Sequence, residues 1–296
     1  ITQPTAISAT ASSTQATCGQ ANGSVSVVAS GGTGALSYLW NTGAGTTTVN
    51  GLSAATYTVT VTDQNNCTRI ANASVTSLNA PVINSSLVTN VSCFNGTNGS
   101  VDITVSGGTG TLTYLWSNSA VTEDISTLSS NTYSVTVTDD NNCTLTGSYF
   151  VSQPSAISLQ GVVSNVSCFN GANGSVNLTV TGGTPGYTYL WSNGFTGQDP
   201  ISLTALAYTV TVTDNNSCTA STSFTVTQPT AISISGSVTD VLCNGQSTGA
   251  VDITVSGGTS PYSYVWSNAS ITQDINNVTA NSYTVTVTDF NSCISN

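Results

Sequence analysis

The chain has 296 residues, of which 4% are charged, and it carries a net charge of −11 with Arg69 as its single cation. A surface without lysine and with one arginine excludes binding to nucleic-acid phosphates and gives no attraction to anionic lipid headgroups. No apolar run approaches the roughly 20 residues of a membrane-spanning helix, so direct membrane insertion is not expected.

The sequence repeats with a period of 75 residues. The first cysteine of each unit recurs at this spacing, at Cys18, Cys93, Cys168 and Cys243. Proline marks the joints between units, at Gln3-Pro4, Ala80-Pro81, Gln153-Pro154 and Gln228-Pro229. Because proline restricts the backbone, these joints indicate semi-rigid connections. The chain therefore divides into repeats at 1–80, 81–153, 154–228 and 229–296, and the fourth repeat is expected to lack its last strand.

Short strands follow one another within each repeat, as the third repeat illustrates. The expected strands lie around residues 156–159, 176–180, 187–191, 201–206, 208–213 and 224–226. Turns rich in glycine and asparagine separate them, and no window of useful length shows helical spacing. Strands of this length and spacing are typical of β-sandwiches. The sequence therefore predicts an all-β protein made of tandem β-sandwich repeats.

The fifth strand of every repeat has the clearest pattern. Tyr57, Val59 and Val61 alternate with threonines, and Asp63 and Cys67 follow them. Alternate side chains of a strand share a face, so the tyrosine and valines should face a core while the threonines face solvent. The same pattern assigns three further tyrosines to the core, Tyr133, Tyr208 and Tyr283. The aspartate is expected to end the strand in a turn that asparagines continue.

Each repeat has one tryptophan, which follows a tyrosine two residues earlier on the same strand face. These residues are Trp40, Trp116, Trp191 and Trp266. An exposed row of indoles could stack on sugar rings, but the face shared with tyrosine favours a core position. We therefore predict that all four tryptophans are buried.

Eight cysteines in a regular pattern, without histidine or a Cys-x-x-Cys pair, indicate disulfides and an oxidising compartment rather than zinc. If the strands alternate simply up and down, both cysteines of one repeat lie at the same end. Cysteines of neighbouring repeats would then lie a domain length apart, beyond the reach of about 7 Å between Cα atoms in a disulfide. We therefore predict pairing inside each repeat, as Cys18–Cys67, Cys93–Cys143, Cys168–Cys218 and Cys243–Cys293.

The combined motifs Cys-Phe-Asn-Gly-x-Asn-Gly-Ser-Val, Ser-Gly-Gly-Thr, Tyr-x-Trp-Ser-Asn and Tyr-Thr-Val-Thr-Val-Thr-Asp-x-Asn-x-Cys resemble the SprB repeat over nearly the whole chain. The tyrosine and tryptophan elements are also similar to PKD-type immunoglobulin-like domains. The resemblance implies very long cell-surface adhesins of gliding bacteria, exported by type IX secretion, without catalytic residues. The departures are small: Gly19 and Asn244 replace the phenylalanine after the first cysteine, and Ser26 stands where Asp102 and Asp252 occur.

No constellation of residues predicts catalysis, because the chain lacks histidine and lysine and its single glutamate is Glu123 beside Asp124. Adjacent carboxylates on a strand would point to opposite faces and would not form a glycosidase pair. Calcium is a weak candidate at the turn carboxylates Asp63, Asp139, Asp140, Asp214 and Asp289. These turns lack an Asp-x-Asp-x-Asp-Gly ladder, so side chains that only satisfy the turns are the favoured interpretation, and no cofactor is expected.

These features predict a structural and adhesive role. The four repeats would form an extended rod, and the resemblance to the SprB repeat implies that this rod belongs to a long bacterial surface adhesin or filament that supports attachment and gliding motility. Its expected partners are surface polysaccharide, neighbouring filaments and further repeats of the same chain. The alternative is a carbohydrate-binding module array of a secreted multidomain protein. Because the chain begins at Ile1 without a leader, we interpret it as an internal segment of a longer extracellular protein.

Overall fold

The structure is a computed structural model that describes residues 2–296, none of which is helical. The strands of the first repeat are β1 (Ser8–Thr14), β2 (Gly23–Ser30), β3 (Ser37–Trp40), β4 (Thr48–Leu52), β5 (Ala55–Thr62) and β6 (Thr68–Val75). Those of the second are β7 (Pro81–Thr89), β8 (Gly99–Gly107), β9 (Thr113–Trp116), β10 (Ile125–Leu128), β11 (Asn131–Thr138) and β12 (Thr144–Val151). Those of the third are β13 (Ser158–Ser164), β14 (Ser175–Thr181), β15 (Thr188–Trp191), β16 (Ala207–Thr213) and β17 (Thr219–Thr225). Those of the fourth are β18 (Ser233–Thr239), β19 (Gly249–Ser256), β20 (Ser263–Trp266), β21 (Ile275–Val278), β22 (Val285–Thr288) and β23 (Ile294–Ser295).

Each repeat is a sandwich of facing sheets. In the first repeat, one sheet has the order β1-β2-β4 and the other the order β3-β5-β6, with antiparallel neighbours. The second and fourth repeats have the same topology. In the third, the expected strand at 201–206 is reduced to a bridge between Gly174 and Leu203. The prediction of tandem all-β, immunoglobulin-like sandwiches is confirmed.

The core of each repeat lies between its sheets and is built from the alternation in the sequence. Tyr57, Val59 and Val61 on β5 are buried, whereas the threonines between them are not. The tryptophans are the largest side chains in these cores and are 1–3% exposed, at Trp40, Trp116, Trp191 and Trp266. By contact density the chain forms two compact units, residues 1–153 and 154–296, and each unit contains two repeats.

The connection between β3 and β4 decides the direction of the later strands. After Trp40 the chain turns back, and the backbone carbonyls of Ala44 and Thr46 accept hydrogen bonds from the tryptophan backbone N and Nε1. The chain then enters β4, which is antiparallel to β2. Because β5 reverses β4 and is itself antiparallel to β3, β3 and β4 run in the same direction. The predicted simple alternation of strands is wrong, since the return segment 44–47 adds a reversal that a count of strands omits.

The two ends of a repeat therefore carry different cysteines. At one end, Gly32 N donates to Thr5 O and Thr33 N donates to Asp63 Oδ2, close to Cys67. We call this the entry end, because the chain enters the repeat there. At the opposite end, which we call the exit end, Ala16 pairs with Ser77 at the start of the next joint, close to Cys18. In the later repeats too, the first cysteine follows the first strand and the second cysteine follows the aspartate after the fifth strand of the expected pattern.

The fourth repeat differs at its last strands. Strand β22 begins at Val285 and β23 covers Ile294–Ser295, so the final strand is present but short. Tyr283, which was predicted to lie in the core, is consequently only partly buried. In the third repeat Val226 packs against Gly174, where an added Cβ would lie 2.6 Å from a valine methyl carbon. The corresponding Gly249 instead borders an open groove of 420 Å³ lined also by Tyr283.

Extending the chain after Asn296 with a copy of Thr222–Gln228 is expected to stabilise the fourth repeat by about 2 kcal/mol, the value for burying one valine side chain. The copied valine would fill the groove beside Gly249, and the copied strand would pair with the free part of the Tyr283 segment. Urea denaturation and amide hydrogen exchange of β22 would measure the gain. The same extension with aspartate in place of the copied valine is the control and should give no stabilisation.

Candidate functional site at the ends of the repeats

An aspartate at the entry end of each repeat joins two turns. In the second repeat, Asp139 Oδ1 accepts hydrogen bonds from the backbone N of Asn141 and of Cys143, at 2.9 and 2.8 Å. Its Oδ2 accepts from Thr109 N at 2.9 Å, in the turn between β8 and β9. The same buried arrangement occurs at Asp63, Asp214 and Asp289. This aspartate clamp fixes the turn that carries the second cysteine.

Hydrogen bonding keeps the carboxyls of Asp63, Asp139 and Asp214 ionised. The N–H of Thr33 is the largest influence on Asp63 and lowers its pKa, against the opposing effect of burial. At Asp139 and Asp214, burial acts to raise the pKa, but the backbone N–H donors together outweigh it and hold each pKa below the usual range. The negative charge is therefore part of the folded turn.

These contacts bear on the calcium candidates. Both oxygens of each clamp aspartate already accept backbone N–H groups, and at Asp139 these use most of the roughly four lone-pair sites of the carboxylate. Asp140 is exposed, and its Oδ2 accepts from Thr111 N at 3.1 Å. Among residues 2–296, no three acidic, cysteine or histidine side chains group together as a metal site. The observed partners of the clamp carboxylates are backbone N–H groups of the two turns that they join, and Asn141 Nδ2 in the turn after Asp139 is buried without a hydrogen-bond partner.

Acidification is expected to destabilise the fold through the clamps. A carboxyl whose pKa is lower in the folded state stabilises the protein at pH values above its unfolded pKa, about 3.9. That stabilisation is lost as the pH falls through the unfolded and then the lower folded value. We therefore expect a Tm that is constant between about pH 7 and 5 and falls below about pH 4. Asp139→Asn should lower the Tm at pH 7, and its difference from the unmodified chain should shrink as the pH falls. Asp102→Asn, at an exposed position, is the matched control for calorimetry and should show no such difference.

The predicted pairing of cysteines inside repeats is wrong. Cys18 is bonded to Cys143, and Cys168 is bonded to Cys293, each across 125 residues of sequence. Both bonds join the exit end of one repeat to the entry end of the next. Cysteines of a single repeat lie at opposite ends, separated by about the 26 Å length of an eight-residue strand. This distance far exceeds the reach of a disulfide.

The remaining cysteines also differ from the prediction. Cys93 and Cys218 are disulfide-bonded, but the prediction that all eight cysteines are bonded is wrong. Within residues 2–296, Cys67 and Cys243 are free thiols, and both are exposed. Cys67 is the second cysteine of the first repeat and Cys243 is the first cysteine of the fourth. The equivalent Cys143, in its cross-repeat disulfide, is fully buried.

The junction of the third and fourth repeats shows how such a disulfide is surrounded. Phe169, after Cys168, lines a cavity of 450 Å³ with Pro229–Ile232 and Cys293. Asn291 Nδ2 donates to Ser167 O at 3.1 Å across the junction. The joint itself contributes Gln228, whose Oε1 accepts from Asn170 N at 2.8 Å. The Gln-Pro joint thus holds the first-cysteine loop of the preceding repeat.

The tryptophans lie away from these ends and offer no sugar-stacking surface. Each indole is buried between the sheets, and its Nε1 donates to a backbone carbonyl six residues later in sequence, at 2.8–3.0 Å. This bond ties the return segment after the third strand to the core. The indoles therefore belong to the packing of the sandwich.

Another set of acidic residues has a structural role that the sequence reading missed. Asp124, Asp199 and Asp274 accept a backbone N–H from the second strand of their repeats, at Ile103, Leu178 and Ile253. Glu123 accepts from Val105 N, so the two neighbouring carboxylates both reach β8 and do not point to opposite faces of a strand. The Asp residue that recurs just before the expected fourth strand in repeats two to four was the available sequence signal.

Comparison with known families gives a match in every repeat. The pattern described as SprB repeat matches residues 10–45, 85–121, 161–196 and 235–270. Each match runs from the first strand, through the first-cysteine loop, to the turn after the tryptophan. No curated protein sequence matches the chain. No helix within residues 2–296 is long and apolar enough to span a bilayer.

Several solved structures match most of this chain at low identity. An I-band fragment of titin is 13% identical, with a TM-score of 0.36, over 77% of this chain and 99% of that one. The immunoglobulin domains 1–5 of Sidekick-1 are 12% identical, with a TM-score of 0.33, over 76% of this chain and 59% of that one. Extracellular domains 3–5 of Drosophila OTK are 9% identical, with a TM-score of 0.28, over 72% of this chain and 93% of that one.

Proposed function

Because the chain belongs to the SprB-repeat family, with a match in each of its four repeats, we propose that it is a structural segment of a long bacterial cell-surface adhesin or filament. The segment would carry mechanical tension during attachment and gliding motility, outside the cell and after export by type IX secretion. It would have no catalytic role.

The disulfides between consecutive repeats are the observation that supports this function. A pull on the first repeat passes from Cys18 directly to Cys143, so residues 19–142 bear no tension along the chain. The bond between Cys168 and Cys293 bypasses residues 169–292 in the same way. Tension therefore follows a covalent route of short segments and disulfides, even if the sandwiches unfold. A filament that must transmit force without lengthening needs this property.

The surface of the repeats fits contact with neutral polymers. It is rich in threonine, serine and asparagine and has few charged residues, so it offers hydroxyl and amide groups to polysaccharide or to neighbouring filaments. Many weak contacts along repeated units would add through multivalency. The alternative, a carbohydrate-binding module array, would need exposed tryptophans that stack on sugar rings, but the tryptophans are buried.

Fab fragments raised against the four-repeat chain test the proposal on living, unpermeabilised cells that produce the parent protein. We expect surface labelling, reduced attachment and slower gliding, whereas Fab fragments against a cytoplasmic protein should have no effect. A cell surface without labelling would contradict the proposal. A glycan array with the purified chain separates the alternative, because strong binding to one defined sugar would favour the carbohydrate-binding module array.

A further inference from the structure

The entry end of the first repeat carries an open groove beside a free thiol. The groove has a volume of 630 Å³ and is lined by Gln3–Ile7, Asp63, Asn65 and Cys67 among others. Cys67 is exposed, although Cys143 and Cys293, at the same position of other repeats, are in disulfides. The groove therefore lacks whatever covers the equivalent surfaces.

The equivalent surface of the fourth repeat is built from the same residues and is covered. Pro229–Ile232 has the sequence Pro-Thr-Ala-Ile, identical to Pro4–Ile7. The first-cysteine loop of the third repeat covers this surface, with Cys168 bonded to Cys293 and Phe169 lining the same cavity. The structure thus shows which kind of segment this surface accepts.

Polar contacts at the covered surface also have counterparts in the open groove. Across the junction of the third and fourth repeats, Asn291 Nδ2 donates to the carbonyl of Ser167. The side chain of Gln228 accepts the N–H of Asn170, two residues after the bonded cysteine. The corresponding Asn65 and Gln3 both line the open groove. The groove thus presents the same donor, acceptor and thiol.

The matching loop lies at the exit end of the fourth repeat. Cys243 is a first cysteine of its repeat, exposed and free within the described part of the chain. Both cross-repeat bonds described above join a first cysteine to a second cysteine. One of the two free thiols is therefore a first cysteine and the other a second cysteine, which is the combination found in both cross-repeat bonds.

We propose that the groove of the first repeat binds the first-cysteine loop of another SprB repeat, and Cys243–Thr248 of a second copy of this chain serves as the probe for such a loop. The two copies join head to tail through a Cys243–Cys67 disulfide. By correspondence with the covered junction, Asn65 donates to the carbonyl of Leu242, and Gln3 accepts the N–H of Gly245. This pairing goes beyond the adhesive function and does not depend on any glycan ligand.

The covalent step is a thiol–disulfide exchange with an external disulfide. The thiolate of one cysteine attacks a sulfur of oxidised glutathione and releases one glutathione thiolate. The second cysteine then attacks the mixed disulfide and releases the other glutathione. One S–S bond forms between Cys243 and Cys67 and one is broken in glutathione, which takes up the two electrons and two protons.

Two single variants test the pairing in the full chain. Cys67→Ser retains the free thiol of Cys243, and Cys243→Ser retains that of Cys67, while the three existing disulfides are untouched in both. With oxidised glutathione, each variant alone is expected to remain a monomer on a non-reducing gel. A mixture of the two is expected to give a disulfide-linked dimer and nothing larger, whereas the unmodified chain should give a ladder of head-to-tail multimers.

The groove contacts are tested by their effect on the rate of dimer formation. In the Cys243→Ser partner, Asn65→Ala and Gln3→Ala should each slow formation of the mixed dimer about five-fold, the equivalent of one hydrogen bond of about 1 kcal/mol. Asn50→Ala, an exposed asparagine on β4, is the matched control and should leave the rate unchanged. Dimers of either single variant with itself, a monomer closed by a Cys67–Cys243 bond, or a mixture that stays monomeric would each overturn the proposal.

Discussion

Replacing Trp116 by alanine is expected to lower the free energy of unfolding of the second repeat by about 3–5 kcal/mol. The indole is 2% exposed, and its ring centroid lies 5.9 Å from that of Tyr149, which lies on β12 of the same sheet. Its Nε1 also donates to Thr122 O at 2.9 Å. Alanine would leave a cavity between the sheets and would release the return segment that this bond anchors. Urea denaturation would measure the loss of unfolding free energy, and amide hydrogen exchange of β11 would assign that loss to the second repeat.

Leu115→Ala is the matched control for this experiment. Leu115 precedes the tryptophan on the same strand but faces outward and is 59% exposed. Its replacement should change the free energy of unfolding by less than about 0.5 kcal/mol, as for other surface positions. Equal effects of the two variants would show that Trp116 does not hold the core together.

The local features of the fold could be predicted because they depend on alternation within single strands. The pattern from Tyr57 to Val61 assigns one face to the core whatever the strand pairs with. The same reasoning holds for the strand that ends in the tryptophan. Tyr283 shows the limit of this reasoning, since its burial depends on a partner strand that β23 provides only over Ile294–Ser295.

The disulfide pairing could not be predicted because it depends on the path of the chain between strands. Residues 44–47 form no strand, although Ala44 packs against the core, and the reversal at this segment places Cys67 at the end opposite Cys18. Nothing in the composition of this segment shows whether the chain enters the next strand directly after the turn or first runs back along the repeat. The clamp shows a related limit: the turn after Asp63 was predicted, but the bond from Thr33, 30 residues away, was not.

The cross-repeat disulfides should have their greatest effect on the maximal end-to-end length that the chain reaches under tension. Pulled by its two ends with all disulfides intact, the chain is expected to reach about 170 Å at most, at roughly 3.5 Å per residue. The covalent route then comprises only residues 1–18, 143–168 and 293–296, joined by the two bonds across 125 residues. With the disulfides reduced, the full contour of about 1,000 Å becomes available. Single-molecule force spectroscopy with end-attached handles measures both lengths directly.

A double variant and a single variant separate the disulfide route from the general stability of the sandwiches. Cys18→Ser with Cys143→Ser removes the first bypass and should at least double the maximal extension under oxidising conditions, because residues 19–93, which end at the disulfide-bonded Cys93, then join the route under tension. Cys67→Ser removes a thiol that is free in the chain and should leave the extension unchanged. If the oxidised chain already extended to its full contour, or if Cys67→Ser lengthened it, tension would not pass from Cys18 to Cys143, and the tension-carrying function would lose its support.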